Sequence, residues 1–247
     1  MDRAALIADP GAEMPPAASR LFGEMVRRRL RREPVAYIVG RKGFRNIELS
    51  VDRRVLVPRP ETELLVEIAL ERAPARVLDL GTGSGAIALA VADEMPGCAV
   101  SATDTSAAAL EVARANAERL GLADRVRILA GSVPEGETYD LVLANLPYVA
   151  ESEWPSLQPE VTQWEPREAL LAGADGLDAI RGLLLELERS SSRYAGTSAF
   201  APGGALALEV GDGQARTVAA LLEAAGFSAI EIRADLAGIE RVVLGER

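Results

Sequence analysis

Histidine is absent from the 247 residues. That omission excludes every Ser-His-Asp triad, every histidine general base and every histidine-ligated metal site. Cysteine occurs once, at Cys98, so no internal disulfide and no thiolate cluster can form. A lone cysteine at the start of an apolar segment reads as a small buried residue. Lysine also occurs once, at Lys42, and the remaining positive charge is arginine, a pattern of genomic composition bias. Acids outnumber bases 37 to 27, for a net charge of −10. Such a surface opposes tight non-specific binding to nucleic acid. No apolar run approaches the ~20 residues that a membrane-spanning helix needs. Residues 1–16 mix acids, alanine and proline without a secretory pattern. A cytoplasmic protein with no membrane partner is therefore expected. With 49% hydrophobic and 26% charged residues, the chain suits one α/β domain with a small appendage.

What is present falls into three segments. Residues 1–32 read as a short N-terminal helical segment, with a helix over 17–32 that sets Leu21, Met25, Val26 and Leu30 on one side. The arginines at 27–29, 31 and 32 are either a solvated face or a contact for an acidic partner. Residues 33–75 read as a β-hairpin and linker, with short β signals at 36–39 and 47–51 around Gly40 and Gly43. Val57-Pro58-Arg59-Pro60 admits neither a helix interior nor a central strand. Pro60-Glu61-Thr62-Glu63 then opens a helix, with proline in its first turn and acids at its positive end. From residue 76 to 247 the pattern is a β–α alternation. Strands are expected at 77–80, 99–103, 126–129, 141–144, 205–210, 229–232 and 241–244, and helices at 86–95, 106–120, 176–188 and 214–225. Near-continuous apolar strands joined by helices indicate a parallel sheet buried on both faces. Ser190-Ser191-Ser192 reads as a loop and Pro202-Gly203-Gly204 as a turn.

Gly81-Thr82-Gly83-Ser84-Gly85 forms a glycine-rich turn between the first strand of this alternation and its helix. Glycines there permit unusual backbone angles and close approach of a ligand. Three features narrow the ligand. Asp79 lies just before the turn, where a pyrophosphate binder avoids an acid and a ligand bearing an ammonium and a sulfonium tolerates one. Asp104 ends the next strand, 19 residues after Gly85, where an acid accepts the two ribose hydroxyls, whether or not it also caps the helix near Ser106. The loop lacks the Gly-Lys-Ser/Thr ending of a phosphate loop. S-adenosylmethionine is favoured over a dinucleotide.

The strand at 141–144 runs into Asn145-Leu146-Pro147-Tyr148. A planar amide or aromatic amine is a poor nucleophile while its lone pair is delocalised. Two acceptors, the Asn145 side-chain oxygen and the Leu146 carbonyl, could each take one N–H and leave the lone pair directed at a methyl group. Catalysis would then come from placement and from electrostatic support of charge growing on nitrogen. Pro147 restricts Leu146 to extended angles, and Tyr148 offers a flat wall. The bland alternative is a turn that caps a strand.

Taken with Glu33-Pro34-Val35-Ala36-Tyr37-Ile38-Val39-Gly40, Phe44, the stretch Val55-Leu56-Val57-Pro58-Arg59-Pro60-Glu61-Thr62-Glu63 and Glu165-Pro166-Arg167-Glu168-Ala169-Leu170, these motifs make residues 33–244 resemble the release-factor glutamine methyltransferases. The resemblance implies a Rossmann-like class I methyltransferase fold: α/β, a seven-stranded, mostly parallel sheet with the last strand antiparallel, helices on both faces, and a small N-terminal helical cap. It implies S-adenosylmethionine as cofactor and the glutamine amide in the Gly-Gly-Gln motif of class I peptide chain release factors as substrate. It implies that Gly81, Thr82, Gly83, Ser84, Gly85 and Asp104 bind the cofactor. Ser132 and Val133 stand where the family contacts the adenine, Asn145 touches cofactor and substrate, and Asn145, Leu146, Pro147 and Tyr148 hold the glutamine. A monomer without direct nucleic-acid contact is expected. Three departures stand out. Leu146 replaces the first proline of the family's Asn-Pro-Pro-Tyr, and Asn-Leu-Pro-Tyr also resembles the adenine-dimethylating ribosomal-RNA enzymes. Ser132 replaces an acid. Residues 1–32 are shorter than the family's N-terminal domain, so a reduced docking role is expected of them. The alternatives are a nucleic-acid adenine amine methyltransferase, whose rRNA members carry an extra C-terminal helical domain, and a cofactor-retaining module without catalysis.

Overall fold

A computed structural model describes residues 14–193 and 199–247. Helix α1 (Pro16–Leu30) and the short α2 (Val35–Val39) lead into a hairpin of β1 (Arg41–Phe44) and β2 (Ile47–Ser50). A 3-10 turn at Pro60–Thr62 opens α3 (Glu63–Arg72). The alternation that follows is β3 (Arg76–Leu80), α4 (Ala86–Glu94), β4 (Ala99–Asp104), α5 (Ala107–Arg119), β5 (Val126–Ala130) and β6 (Tyr139–Ala144). After α6 (Pro159–Thr162) come α7 (Asp178–Arg193), β7 (Phe200–Glu209), α8 (Ala215–Ala224), β8 (Ser228–Ala234) and β9 (Glu240–Glu246). The seven-stranded sheet has the order β5-β4-β3-β6-β7-β9-β8, and β9 runs antiparallel to both its neighbours. Strand β3 is internal, between β4 and β6, as a strand carrying a ligand loop should be.

Alternation along the strands builds a core on each face. Val77, Leu141, Leu143, Ala205 and Ala207 face one hydrophobic cluster; Leu78, Leu80, Val142, Ala144, Leu206 and Leu208 face the other. Successive strand residues point to opposite sides, so the unbroken apolar runs are the mark of a sheet covered on both faces. Cys98 is buried. Among the described residues no helix is long and apolar enough to cross a membrane.

Three local expectations differ from the structure. Residues 36–39 are helical, not β. Pro34 precedes the turn and Gly40, at φ +72°, ends it in the left-handed conformation, so the flanking residues outweigh the β preference of Val and Ile. Residues 190–192 continue α7 instead of forming a loop, since serine costs a helix little. Pro202-Gly203-Gly204 lies inside β7 as a bulge: the register jumps from Tyr139 opposite Phe200 to Leu141 opposite Ala205. Helix α1 has no buried residue, and Leu21, Val26 and Leu30 are exposed.

The arginine cluster is only partly solvated. Arg28 grips Glu33 at 2.8 and 2.5 Å and donates to the carbonyls of Tyr37 and Ile38. Arg29 and Arg32 reach Glu160 at 2.6 and 2.8 Å, tying α1 to α6. The hairpin is fastened by Asn116 of α5, which is fully buried. Its amide accepts from Ser50 N–H at 2.7 Å and donates to the carbonyls of Ser50 and Ser84 at 3.0 and 2.9 Å. One side chain thus couples the hairpin to the glycine loop.

Candidate active site

The carboxyl ends of β3, β4, β5 and β6 open on a cavity of about 420 Å3. One wall is the glycine loop, another the 54–62 linker, and α7 contributes Ala179, Gly182, Leu183 and Glu186. Parallel strands end in loops on one side of the sheet, so ligand groups from distant parts of the chain converge there.

The glycine loop is held from beneath and from the side. Gly81, Gly83 and Gly85 have φ of 70°, 56° and 85°, a region costly for residues with a Cβ. Asp79 is fully buried; its Oδ2 accepts from Thr82 Oγ1 at 2.6 Å and from Ala88 N–H at 3.1 Å. Burial pushes the Asp79 carboxyl up to about 7 against those two hydrogen bonds, with Asp104 adding a like charge. Asp104 braces the other side: Gly83 N–H donates to its Oδ2 at 2.9 Å and Ser106 N–H to its Oδ1 at 2.8 Å. The helix cap of α5 is Ser106, not Asp104.

At the end of β6, Asn145 Nδ2 donates to Thr62 Oγ1 at 3.0 Å. Leu146 leans over the loop, its Cδ2 3.3 Å from where a Cβ on Gly81 would stand. Gly81, Thr82, Gly83, Ser84, Asp104, Ser132, Asn145, Leu146 and Pro147 all line the cavity. Gly85, Val133 and Tyr148 lie outside the lining. Gly85 has φ +85°, and a side chain there would also press on Leu89 Cδ1 at 2.8 Å, so its place is explained by backbone conformation and packing. Val133 packs on the core, and its N–H donates to Glu186 at 3.3 Å. The Tyr148 carbonyl accepts from Gln214 Nε2 at 2.9 Å. Burial, with Glu209 nearby, pushes the Tyr148 phenol up to about 12.

Several residues of this region had no site role assigned from the sequence. Half-buried Arg59 pairs with buried Glu165 at 2.5 Å, and Glu165 also accepts from Val57 N–H at 3.3 Å, which holds the proline-rich linker against the cavity. Thr62 anchors Asn145. Glu209 ends β7 almost fully buried, and an acid closing the apolar run 205–210 was the legible sign of it.

A glycine loop on an internal strand, an acid on the strand to one side and the Asn145–Tyr148 tetrapeptide on the strand to the other define a methyltransferase. The comparisons agree. The methyltransferase small domain model matches residues 60–161 and the PrmC N-terminal domain model matches residues 1–40. The hMettl16 catalytic domain, solved in complex with MAT2A 3'UTR hairpin 6, shares the fold, with a TM-score of 0.61 and 16% identity over 80% of this chain and 75% of that one. The release factor glutamine methyltransferase of Gloeobacter violaceus is 46% identical over 219 residues, 85% of this chain and 73% of the relative. That of Caulobacter vibrioides is 41% identical over 250 residues, 98% of this chain and 83% of the relative. The chain belongs to the release factor glutamine methyltransferase family.

Proposed function

We propose that the chain uses S-adenosylmethionine to methylate the side-chain amide nitrogen of the glutamine in the Gly-Gly-Gln loop of a class I peptide chain release factor. The disposition of Asn145 carries the reading. Its Nδ2 is engaged by Thr62, so Oδ1 is the end left for a ligand in the cavity. A primary amide presents two N–H groups and needs two acceptors; Asn145 Oδ1 and the Leu146 carbonyl are the pair assigned here. With both N–H groups held by acceptors, the amide is fixed in place and electron density on its nitrogen rises, so most of the acceleration comes from placement; the nitrogen sheds one of those protons to solvent once it carries the methyl group. No histidine base is required.

The lining residues fit S-adenosylmethionine. The cavity of about 420 Å3 lies in the range of small-molecule sites. A side chain at Gly81 would meet Leu146 and the Asn145 carbonyl, so glycine keeps open the passage between loop and tetrapeptide. Residues 81–84 would hold the amino-acid end, Asp104 the ribose hydroxyls, and Ser132 the base. When bound, the cofactor supplies an electrophilic methyl group on a sulfonium. We read residues 1–32 as an N-terminal segment and residues 76–247 as the methyltransferase domain. Residues 33–75 are a hairpin and linker that close one side of the cavity. The lining by Arg54, Val55, Leu56, Pro58, Arg59 and Thr62 supports that division. We also read the protein as a cytoplasmic monomer acting in translation termination, without nucleic-acid contact of its own; the net charge of −10 supports the last point.

The test is incubation with methyl-labelled cofactor and purified release factor, intact or with its loop glutamine replaced, beside a structured RNA. Label confined to the intact factor, on the glutamine side chain by mass spectrometry, is the expected result. Label on the RNA alone would overturn the assignment in favour of an adenine amine substrate.

A further inference from the structure

We propose that Glu186 of α7 accepts from the exocyclic amine of the cofactor's adenine, and that α7 forms one wall of the base site. The inference deepens the reading of the cavity as an S-adenosylmethionine site and rests on it.

The strand order fixes which end of the cofactor lies where. The amino-acid end is assigned to the glycine loop after β3, and the ribose to Asp104 at the end of β4. Strand β5 is the next in the sheet on that side. The base therefore falls at the carboxyl end of β5, where Gly131 and Ser132 line the cavity.

Adenine makes two demands of such a place. Its faces are flat and apolar. Its amine carries N–H groups that lose water on binding and need an acceptor. The end of β5 meets these demands poorly. Gly131 has no side chain, and its N–H donates to the Asp104 carbonyl at 3.0 Å. Ser132 offers only a neutral hydroxyl, a weaker acceptor than a carboxylate.

Helix α7 supplies what is missing. Ala179, Gly182, Leu183 and Glu186 line the cavity, and their spacing puts them on one stripe of the helix. The stripe is small or apolar for three residues and ends in a carboxylate. A Cβ on Gly182 would meet nothing within 4 Å, so space is left beside the helix backbone for a flat ring. A hydrogen bond brings Glu186 to the end of β5: its Oε1 accepts from Val133 N–H at 3.3 Å. Val133 packs on the core cluster that α7 helps to build, so the carboxylate is held one residue from Ser132.

Three acids line the cavity among the described residues: Asp104, Glu168 and Glu186. Asp104 already accepts from Gly83 and Ser106. Glu168 sits in the segment that joins the chain just past the tetrapeptide, where Val149 N–H donates to the Leu170 carbonyl at 2.8 Å. That is the β6 side of the cavity. Glu186 is the acid at the β5 side. A carboxylate only accepts, so it selects a base that donates there.

The experiment measures Kd by titration calorimetry for S-adenosylhomocysteine and for its analogue with hydrogen in place of the exocyclic amine. The full chain is compared with Glu186→Gln and Glu186→Ala, and Tm is read for each without ligand. The parent should prefer the amine-bearing compound by about tenfold or more. Glu186→Ala should weaken S-adenosylhomocysteine by about that factor and leave the analogue within about threefold, so the preference collapses. Glu186→Gln keeps a neutral acceptor oxygen, and its preference should fall between those of the parent and the alanine variant. Each ratio is taken within one protein, so a loss of stability common to both titrations cancels. A carboxylate that served only to hold residues 131–133 would weaken both compounds alike; an unchanged ratio in the two variants would therefore overturn the inference. So would a parent that binds both compounds equally, an outcome that leaves the cofactor reading standing. A parent that binds neither would instead bring down the cofactor reading, and the inference with it.

Discussion

Asp104 holds the glycine loop with one carboxylate oxygen and the start of α5 with the other, so its removal should register in two independent measurements. Gly83 N–H and Ser106 N–H donate to it at 2.9 and 2.8 Å. A hydrogen bond to a charged acceptor contributes about 1.5–3 kcal/mol, and less where the freed N–H can turn to water at a cavity edge. Asp104→Ala should therefore cost about 1–3 kcal/mol of folding stability for the pair, not twice that. In a chain of this size that is a fall of roughly 2–10 °C in Tm, read by calorimetry without cofactor. The same variant should weaken S-adenosylmethionine by about 2–3 kcal/mol through the lost ribose contact, roughly 30- to 150-fold in Kd by titration calorimetry. Asp104→Asn keeps one acceptor oxygen and should fall between the parent and the alanine variant in both readings. Weakened binding at unchanged Tm would mean that the bonds to Gly83 and Ser106 contribute nothing to the fold. A lowered Tm at unchanged Kd would reduce Asp104 to a brace and refute its role toward the ribose.

Other expectations follow from the same geometry. Gly81→Ala places a Cβ at φ +70°, 3.3 Å from Leu146 Cδ2; cofactor affinity should fall by about tenfold or more, and equilibrium dialysis that finds parental affinity would remove the loop from the binding site. Asn145→Ala should lower turnover by about a hundredfold or more while cofactor Kd changes little, checked by single-turnover methylation and titration in parallel. The Leu146 N–H donates to no group among the described residues, so Leu146→Pro should keep glutamine methylation within about tenfold of the parent; a larger loss would show that the leucine side chain itself is required. Asp79, raised to about 7 in the fold against an ordinary 3.8, binds a proton in the folded chain that the unfolded chain releases first. Its contribution to stability is thus full below the unfolded pKa and is lost as pH rises toward 7. Asp79→Asn should gain Tm relative to the parent between pH 4 and pH 7.5; a pH-independent difference would contradict the burial argument.

The boundary between what was legible and what was not follows the range of the interactions. The glycine turn, Asp104 at the end of the following strand and the apolar runs with their 2-residue alternation are local in origin. Their conformations follow from glycine's freedom, from strand periodicity and from the rule that ligands collect at the carboxyl ends of parallel strands. The antiparallel last strand was expected from the resemblance, and the sheet has it. Residues 36–39 already mark the limit, since their β-branched side chains gave way to Pro34 before them and Gly40 after them.

Contacts across long separations were decided only by folding. Asn145 meets Thr62 over 83 residues, Arg59 meets Glu165 over 106, and Asn116 reaches Ser50 over 66. None of these pairs has a spacing or period that a one-dimensional pattern can carry, because each depends on which elements become neighbours in the fold. Glu209 is the clearest case. The sequence shows an acid at the end of an apolar run; only the pairing of β6 with β7 sets it beside Asn145, and only burial gives its charge a consequence. Residue types and local geometry were determined by the chain itself, whereas the relation between distant polar groups arose when packing removed water from between them.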